Sequence, residues 1–371
     1  MNKNDVWMIY GTEYKEMTKR ILEASDLSEM IADKDCRIGI KPNLVSPSEA
    51  SYGATTHPEV VAGIIEYLRE HGCTQIVMLE SSWVGDKTSD ALLVCGYDRL
   101  SEQYGVEFLD LQKDGSRIYD CAGMDINICD EAKKLDFLIN VPVLKGHCQT
   151  KMTCALKNMK GLIPNKEKRH FHSMGLHKPI AHLNTGVHQD FIVVDNICGD
   201  LDFEDGGHPV QMDRIMTFAD PVLCDAFACR MLHYTKKDVP YVELAEKLGV
   251  GSADIAHAKM HNLNEQDRAV RKNAREILRS ERKIVAVKDT VQEVESCSAC
   301  YGSLIPALDR LKEEGLLDHL TDKISIGQGY RGKSGKLGVG SCTREFTFSC
   351  KGCPPTEEEI YNFLKGYIAE A

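Results

Sequence analysis

Short, nearly continuous apolar runs alternate with longer amphipathic stretches through the first half of the chain. The runs VWMIYG (6–11), RIGIKPN (37–43), TQIVMLES (74–81), VEFLDL (106–111) and FLINVPVL (137–144) predict strands, and IVVDN (192–196) and IMTFAD (215–220) predict two more. Between them PEVVAGIIEYLREHG places Val60, Val61, Ile64, Ile65 and Leu68 at helical spacing. Thr56 and Glu59 read as its capping box and Gly72 as its stop. Strand–helix alternation with apolar strands predicts an α/β fold, a mostly parallel sheet flanked by helices. The pattern changes at Gly251, where a long charged helical stretch runs to Lys283. The expected organisation is an α/β domain over 1–250 with an anion-binding rim, a helical connector over 251–283, and a smaller C-terminal α+β cysteine-rich unit over 284–371.

In an open parallel sheet the ligand site lies beyond the carboxyl ends of the strands. Those ends deliver Lys41 and Asn43, then Glu80, Ser81 and Ser82, then Lys145 and His147, and finally Asp195 and Asp220. Two lysines, a histidine and several carboxylates would line one rim.

Residues 144–172, LKGHCQTKMTCALKNMKGLIPNKEKRHFH, carry six lysines and one arginine against a single glutamate. KMTCALKNMKG reads as a short helix capped by Thr150, with Met152, Leu156 and Met159 as its apolar stripe and Gly161 as its stop. Thr153, Lys157 and Lys160 would then share a face. A solvated lysine face is the plain alternative. Its place after a strand end favours an anion site formed by Lys41, Asn43, Lys157 and Lys160 at the helix start. Lys145, His147 and Lys157 are the candidates for acid–base work. His170 and His172 in HFH would face one side if extended, although the neighbouring cations disfavour a metal there. The acidic loop GDLDFEDGGHP could offer Asp200, Asp202, Glu204 and Asp205 to a divalent ion, but it lacks the EF-hand spacing and reads as a solvated turn.

Composition narrows the partners. A formal net charge of −11 argues against a dedicated nucleic-acid binder. No apolar run approaches the length of a membrane span, and no N-terminal signal is visible, so a cytoplasmic protein without membrane contact is expected. Fifteen cysteines are many for a reducing compartment, where clustered thiols point to metal or redox chemistry. Five crowd into the last 75 residues. Cys297-x-x-Cys300, Cys342 and Cys350-x-x-Cys353-Pro give five candidates for a four-thiolate site. The proline after Cys353 favours Cys297, Cys300, Cys342 and Cys353 as ligands, with Cys350 as substitute. A 4Fe-4S cluster fits this spacing better than structural zinc, which stays the alternative.

Several segments together resemble the domain-of-unknown-function family 362. They are IGIKPNLVSP with THPEVV, NVPVLKGH, KMTCALKNMKGLIP, IVVDNICGDLDF with ADPVLCDAFACRML, and VGSCTREF with KGCPPTEEEI. The resemblance spans about residues 35–370 and implies iron–sulfur cysteines at the C-terminal end. The order His147, Lys157, then His170 or His172 is also similar in layout to nickel-pincer lactate racemases, without their Gly-Gly-Arg/Lys signature. The leading expectation is an iron–sulfur protein, a redox enzyme for an anionic small molecule served by an electron-transfer partner. A non-redox isomerase or lyase and a zinc-stabilised binding module are the alternatives.

Overall fold

The computed structural model describes residues 1–264 and 287–370. They divide into two units: residues 1–168 with 177–264, and Arg169–Leu176 with 287–370. The segment carrying His170 and His172 thus belongs with the second unit, whereas the sequence places it in the first.

The first unit is built on an eight-stranded sheet. Its strands are β1 (Asp5–Tyr10), β2 (Ile38–Lys41), β3 (Ile76–Glu80), β4 (Glu107–Asp110), β7 (Phe137–Asn140), β10 (Phe191–Asn196), β11 (Arg214–Phe218) and β12 (Lys259–Asn262), in the order β12-β1-β11-β10-β7-β2-β3-β4. Two hairpins stand outside it, β5 (Ser116–Asp120) with β6 (Asp125–Cys129) and β8 (Lys145–His147) with β9 (Lys151–Thr153). All sheet neighbours run parallel except β11, which is antiparallel to both β1 and β10. The sheet is mostly parallel, and all seven strands expected from the apolar runs are present.

Alternation along the strands explains why the runs are apolar on both faces. Phe191 and Val193 join a core with Ile9, Ile38 and Ile40, under the helices Tyr14–Ala24 and Pro58–Glu70. Ile192 and Val194, equally buried, point to the opposite face. The helix Pro58–Glu70 ends at Gly72, as its pattern predicts. Its start differs. Pro58 takes the first helical position and His57 the N-cap, so Thr56 instead bonds the Val141 carbonyl and the Asn43 amide.

The reversal of β11 moves one rim residue. Its carboxyl end lies at the opposite edge, and Asp220 there caps the helix Pro221–Met231 by accepting from the Val222 and Leu223 amides. Most of the expected connector lies outside the described residues. Its first part is not helical beyond one turn at Ile255–His257, and β12 joins the sheet parallel to β1.

In the second unit four short strands, β13 (Val291–Glu293), β14 (Ile324–Ile326), β15 (Leu337–Val339) and β16 (Phe348–Cys350), pair in parallel. The helices Ser298–Glu313 and Glu357–Glu370 pack on one another. Thr356 and Glu359 form a reciprocal capping box at the start of the second helix. Among the described residues, no helix is long and apolar enough to cross a membrane.

Candidate functional site

Strand order reverses between β2 and β7, the position where α/β sheets open a crevice. The side chains there are buried and mutually satisfied. Lys41, with no exposed surface, meets the Glu80 carboxylate at 2.8 Å and the Pro42 carbonyl at 3.0 Å. Burial lowers its pKa and Glu80 only partly restores it. Gly161 makes room, because a Cβ there would overlap both groups. Asn43 donates to Asn158 at 2.9 Å, and Asn158 donates to Asn140 at 2.7 Å. Nearby Lys168 donates at 2.6 Å to the Ser81 carbonyl, the Ser81 hydroxyl and the Ser82 carbonyl. Lys41 and Asn43 therefore sit inside a closed polar lattice.

A second cluster gathers around the β8–β9 hairpin. Lys145, 1 % exposed, donates to the carbonyls of Ala54 and Glu204. Burial, reinforced by the nearby Lys157 charge, lowers its pKa to about 7. Lys157 is partly exposed, and burial of its ammonium brings it to about 8. His147 Nδ1 accepts from the Gln149 and Thr150 amides at 3.1 and 3.2 Å, so this nitrogen carries no proton. Its proton belongs on Nε2, 3.4 Å from Glu204 Oε1. Glu204 also takes the Cys148 amide at 3.0 Å. Asp205 is pushed up to about 8 by burial and by the charges of Glu204 and Asp200. Two amines and one carboxyl group with pKa values of about 7 to 8 thus share one place with an imidazole and a second carboxyl group. Such a group can hold an anion and move protons.

The structure brings Lys145, His147 and Lys157 together but not by the route the sequence suggests. Lys151–Thr153 is the second strand of the hairpin, with Lys151 at φ +67° and Thr150 bonded to the Met152 carbonyl. The helix is only Ala155–Asn158, followed by the 3-10 turn Met159–Leu162. Its first amides are already taken, since Asp225 accepts from Leu156 N at 3.3 Å. No helical face carries Thr153, Lys157 and Lys160, and the helix start offers no open anion site. His170 and His172 lie on the helix Asn165–Ser173, His170 exposed and His172 buried, so they do not share a side.

Sequence reasoning set Glu204 aside with its loop and missed its place beside His147. The acidic loop looked solvated, yet Leu201 and Phe203 are buried and draw it inward. Alternation of apolar with acidic residues in LDFED was the available signal. Asp200 shapes the loop by accepting from the Asp202, Phe203 and His208 amides. Also missed were Cys224 and Asp225. Their donor atoms lie with Cys154 Sγ within 4.8 Å, all buried, forming a group that could hold a metal ion. The two sulfurs are 3.7 Å apart, and burial raises the Asp225 carboxyl to about 7 against the pull of the Leu156 and Ala155 amides.

In the second unit Cys297 is the N-cap of Ser298–Glu313 and Cys300 lies in its first turn. Cys342 follows β15 and Cys353 follows β16. Three chain segments therefore leave the carboxyl ends of β13, β15 and β16 bearing the four cysteines. The thiols act on one another. Burial raises Cys297, and the Cys342 and Cys353 charges raise it further while Arg169 and Arg331 oppose. Cys300 is raised in the same way by burial and the other three sulfurs. Arg331 Nε lies 3.5 Å from Cys342 Sγ. At Gly340, φ +88°, a Cβ would stand 3.6 Å from Cys300 Sγ, so the glycine backbone passes close to the sulfurs. Cys350 lies within β16, buried, with burial and Glu359 raising it to about 11. Among the described residues no three of the four sulfurs lie within 4.8 Å of one another.

The model of the DUF362 family, a domain of unknown function, matches residues 38–230. The chain belongs to this family. The matched region runs from β2 through the helix Pro221–Met231 and contains both polar clusters, while the four cysteines lie beyond it. A thylakoid-associated protein of Synechocystis is 30% identical over 137 residues, 37% of this chain and 42% of that protein. Two solved structures share faint likeness at 13% identity. The lactate racemase apoprotein of Thermoanaerobacterium thermosaccharolyticum has a TM-score of 0.42, covering 61% of this chain and 56% of that one. A Thermotoga maritima protein has a TM-score of 0.37, covering 64% and 60%. The DUF362 chain thus spans less than two thirds of each of these proteins.

Proposed function

We propose that this DUF362 protein is an iron–sulfur protein in which Cys297, Cys300, Cys342 and Cys353 hold a 4Fe-4S cluster. Its first unit acts on an anionic small molecule at the cluster of Lys145, His147 and Lys157, with Glu204 orienting the imidazole. The observation that carries the reading is the convergence of four thiols from three strand ends, with Cys350 held away in its strand. The donor set is all sulfur, and a glycine backbone runs beside it, as such clusters favour. When bound, a 4Fe-4S cluster supplies one-electron transfer, which makes the protein a candidate oxidoreductase with an electron-transfer partner. A cytoplasmic setting, where thiols stay reduced, belongs to the same reading.

The test is anaerobic purification with iron, acid-labile sulfide and zinc analysis and an absorption spectrum. Iron and sulfide in equal amounts with broad visible absorption are expected. Stoichiometric zinc without sulfide would instead make the second unit a zinc-stabilised module.

A second reading has its own observation. The Nε2-protonated His147 beside Glu204, next to amines titrating near neutrality, suits proton transfer by an isomerase or lyase without redox change. Activity that survives replacement of all five C-terminal cysteines by serine would favour it.

A further inference from the structure

A separate constellation lies between the N-cap of Pro58–Glu70 and the end of β10. Asp195, 1 % exposed, holds His57 twice through one oxygen: Oδ2 is 2.7 Å from the His57 amide and 2.8 Å from Nδ1. Its other oxygen accepts from Ile197 N at 3.1 Å. The carboxylate is thereby fixed, and it fixes the ring. His57 Nε2 then faces Cys198 Sγ at 3.6 Å, and the thiol has the Ala50 carbonyl at 3.3 Å as a resting acceptor. Tyr14 closes the other side of the imidazole edge-on, with ring centroids 5.4 Å apart. His57 and Cys198 both line a cavity of about 800 Å³, whose wall also includes Tyr14, Arg99 and Gln211.

Packing alone does not call for this order of groups. A buried cysteine that only fills space needs no imidazole, and an N-cap histidine needs no carboxylate behind it. Carboxylate, imidazole and thiol in line beside a small-molecule cavity is the arrangement that activates a sulfur nucleophile. We propose that Cys198, His57 and Asp195 form a nucleophilic thiol centre, distinct from the lysine cluster, that accepts an acyl group from a small ester or thioester bound in this cavity.

In that step Cys198 Sγ attacks the acyl carbonyl carbon and forms the S–C bond. The bond to the leaving oxygen or sulfur breaks with its electron pair, and the proton given up by the thiol ends on the leaving group. His57 supports the developing thiolate: burial opposes its charge, but Asp195 outweighs this and raises it to about 11. An acyl group is the class of substrate whose transfer to sulfur requires neither oxidant nor metal.

The probe is p-nitrophenyl acetate, added to the full chain under reducing, anaerobic conditions. Nitrophenolate release is followed, and acetylated peptides are found by mass spectrometry. Acetylation of Cys198 should exceed that of the half-buried Cys36, a thiol outside the proposed cluster, by roughly tenfold or more, because the His57 imidazolium favours the thiolate. In His57→Gln and Asp195→Asn, each checked for an unchanged circular dichroism spectrum, Cys198 should lose that advantage. A wild-type measurement stands independently of the variants: a small acyl thioester should protect Cys198 from iodoacetamide. Absence of acetyl at Cys198, an undiminished rate in folded His57→Gln, or no protection by the thioester would each overturn the proposal.

Discussion

Taking an amine out of water changes what it does at neutral pH. Lys145, held near a pKa of 7 by burial and the Lys157 charge, is largely neutral at pH 8. An anion bound beside it favours the ammonium and must draw in a proton, up to about one per site. Inorganic phosphate or malonate titrated at pH 8 in buffers of different ionisation enthalpy should therefore show proton uptake, and Lys145→Met should reduce it to the share taken by Lys157 and Asp205. Binding with no uptake in the wild type would remove Lys145 from the site. His57 works with the opposite sign. Its folded pKa, raised to about 11 from an ordinary 6.5, means that the stability from the Asp195 pair is complete below about pH 6.5. That stability drains away as pH rises toward 11. Denaturant midpoints compared at pH 7 and pH 10 should fall in the wild type through this pair, and fall less in Asp195→Asn.

Single elements show where the chain's pattern is informative and where it misleads. The buried pair of Lys41 on β2 and Glu80 on β3 depends on Gly161, at the close of the 3-10 turn. Gly161→Ala should destabilise the fold by about 1–3 kcal/mol through overpacking. Lys41→Met should cost about 3–5 kcal/mol, because it strands the Glu80 charge in the interior. Equilibrium urea unfolding measures both, and a neutral Lys41→Met would show that Glu80 finds water. Six of the seven apolar strands were legible because they are largely buried on both faces; β4, at the sheet edge, is only half-buried and was marked by the buried Val106 and Leu111 beside it. The structure over KMTCALKNMKG was not legible, because Gly146 and Met152 pair across a hairpin that local spacing does not encode. The direction of β11 was equally hidden, since an apolar run reads the same whichever way it lies. For that reason Asp220 was assigned to the wrong rim.

At the scale of the whole molecule, the cysteines scattered through the first unit and those clustered in the second tell different stories. Replacing Cys353 by serine should cost the protein its iron and sulfide, while Cys350→Ser should retain both. Elemental analysis of the two anaerobically purified variants decides this, and the reverse result would make Cys350 the ligand. The preference for Cys353 over Cys350 was read from Cys353-Pro354 alone. Glu204, Cys224 and Asp225 were not legible, because each becomes chemical only through partners far away in sequence. Cys198 and His57, 141 positions apart, are the clearest case.

The antiparallel strand β11 has a further effect, on how the protein is born. β1 pairs with β11 and β12, and its Trp7 meets Thr217. At about 5–20 residues per second of synthesis, the segment DVWMIY waits roughly 10–40 seconds after emerging before its sheet partner exists. During that interval it is an apolar strand without a ladder, so this segment of the nascent chain is open to aggregation. Ribosome-bound chains stalled before residue 214 should carry that segment in a protease-sensitive form, and chains stalled well after it should not.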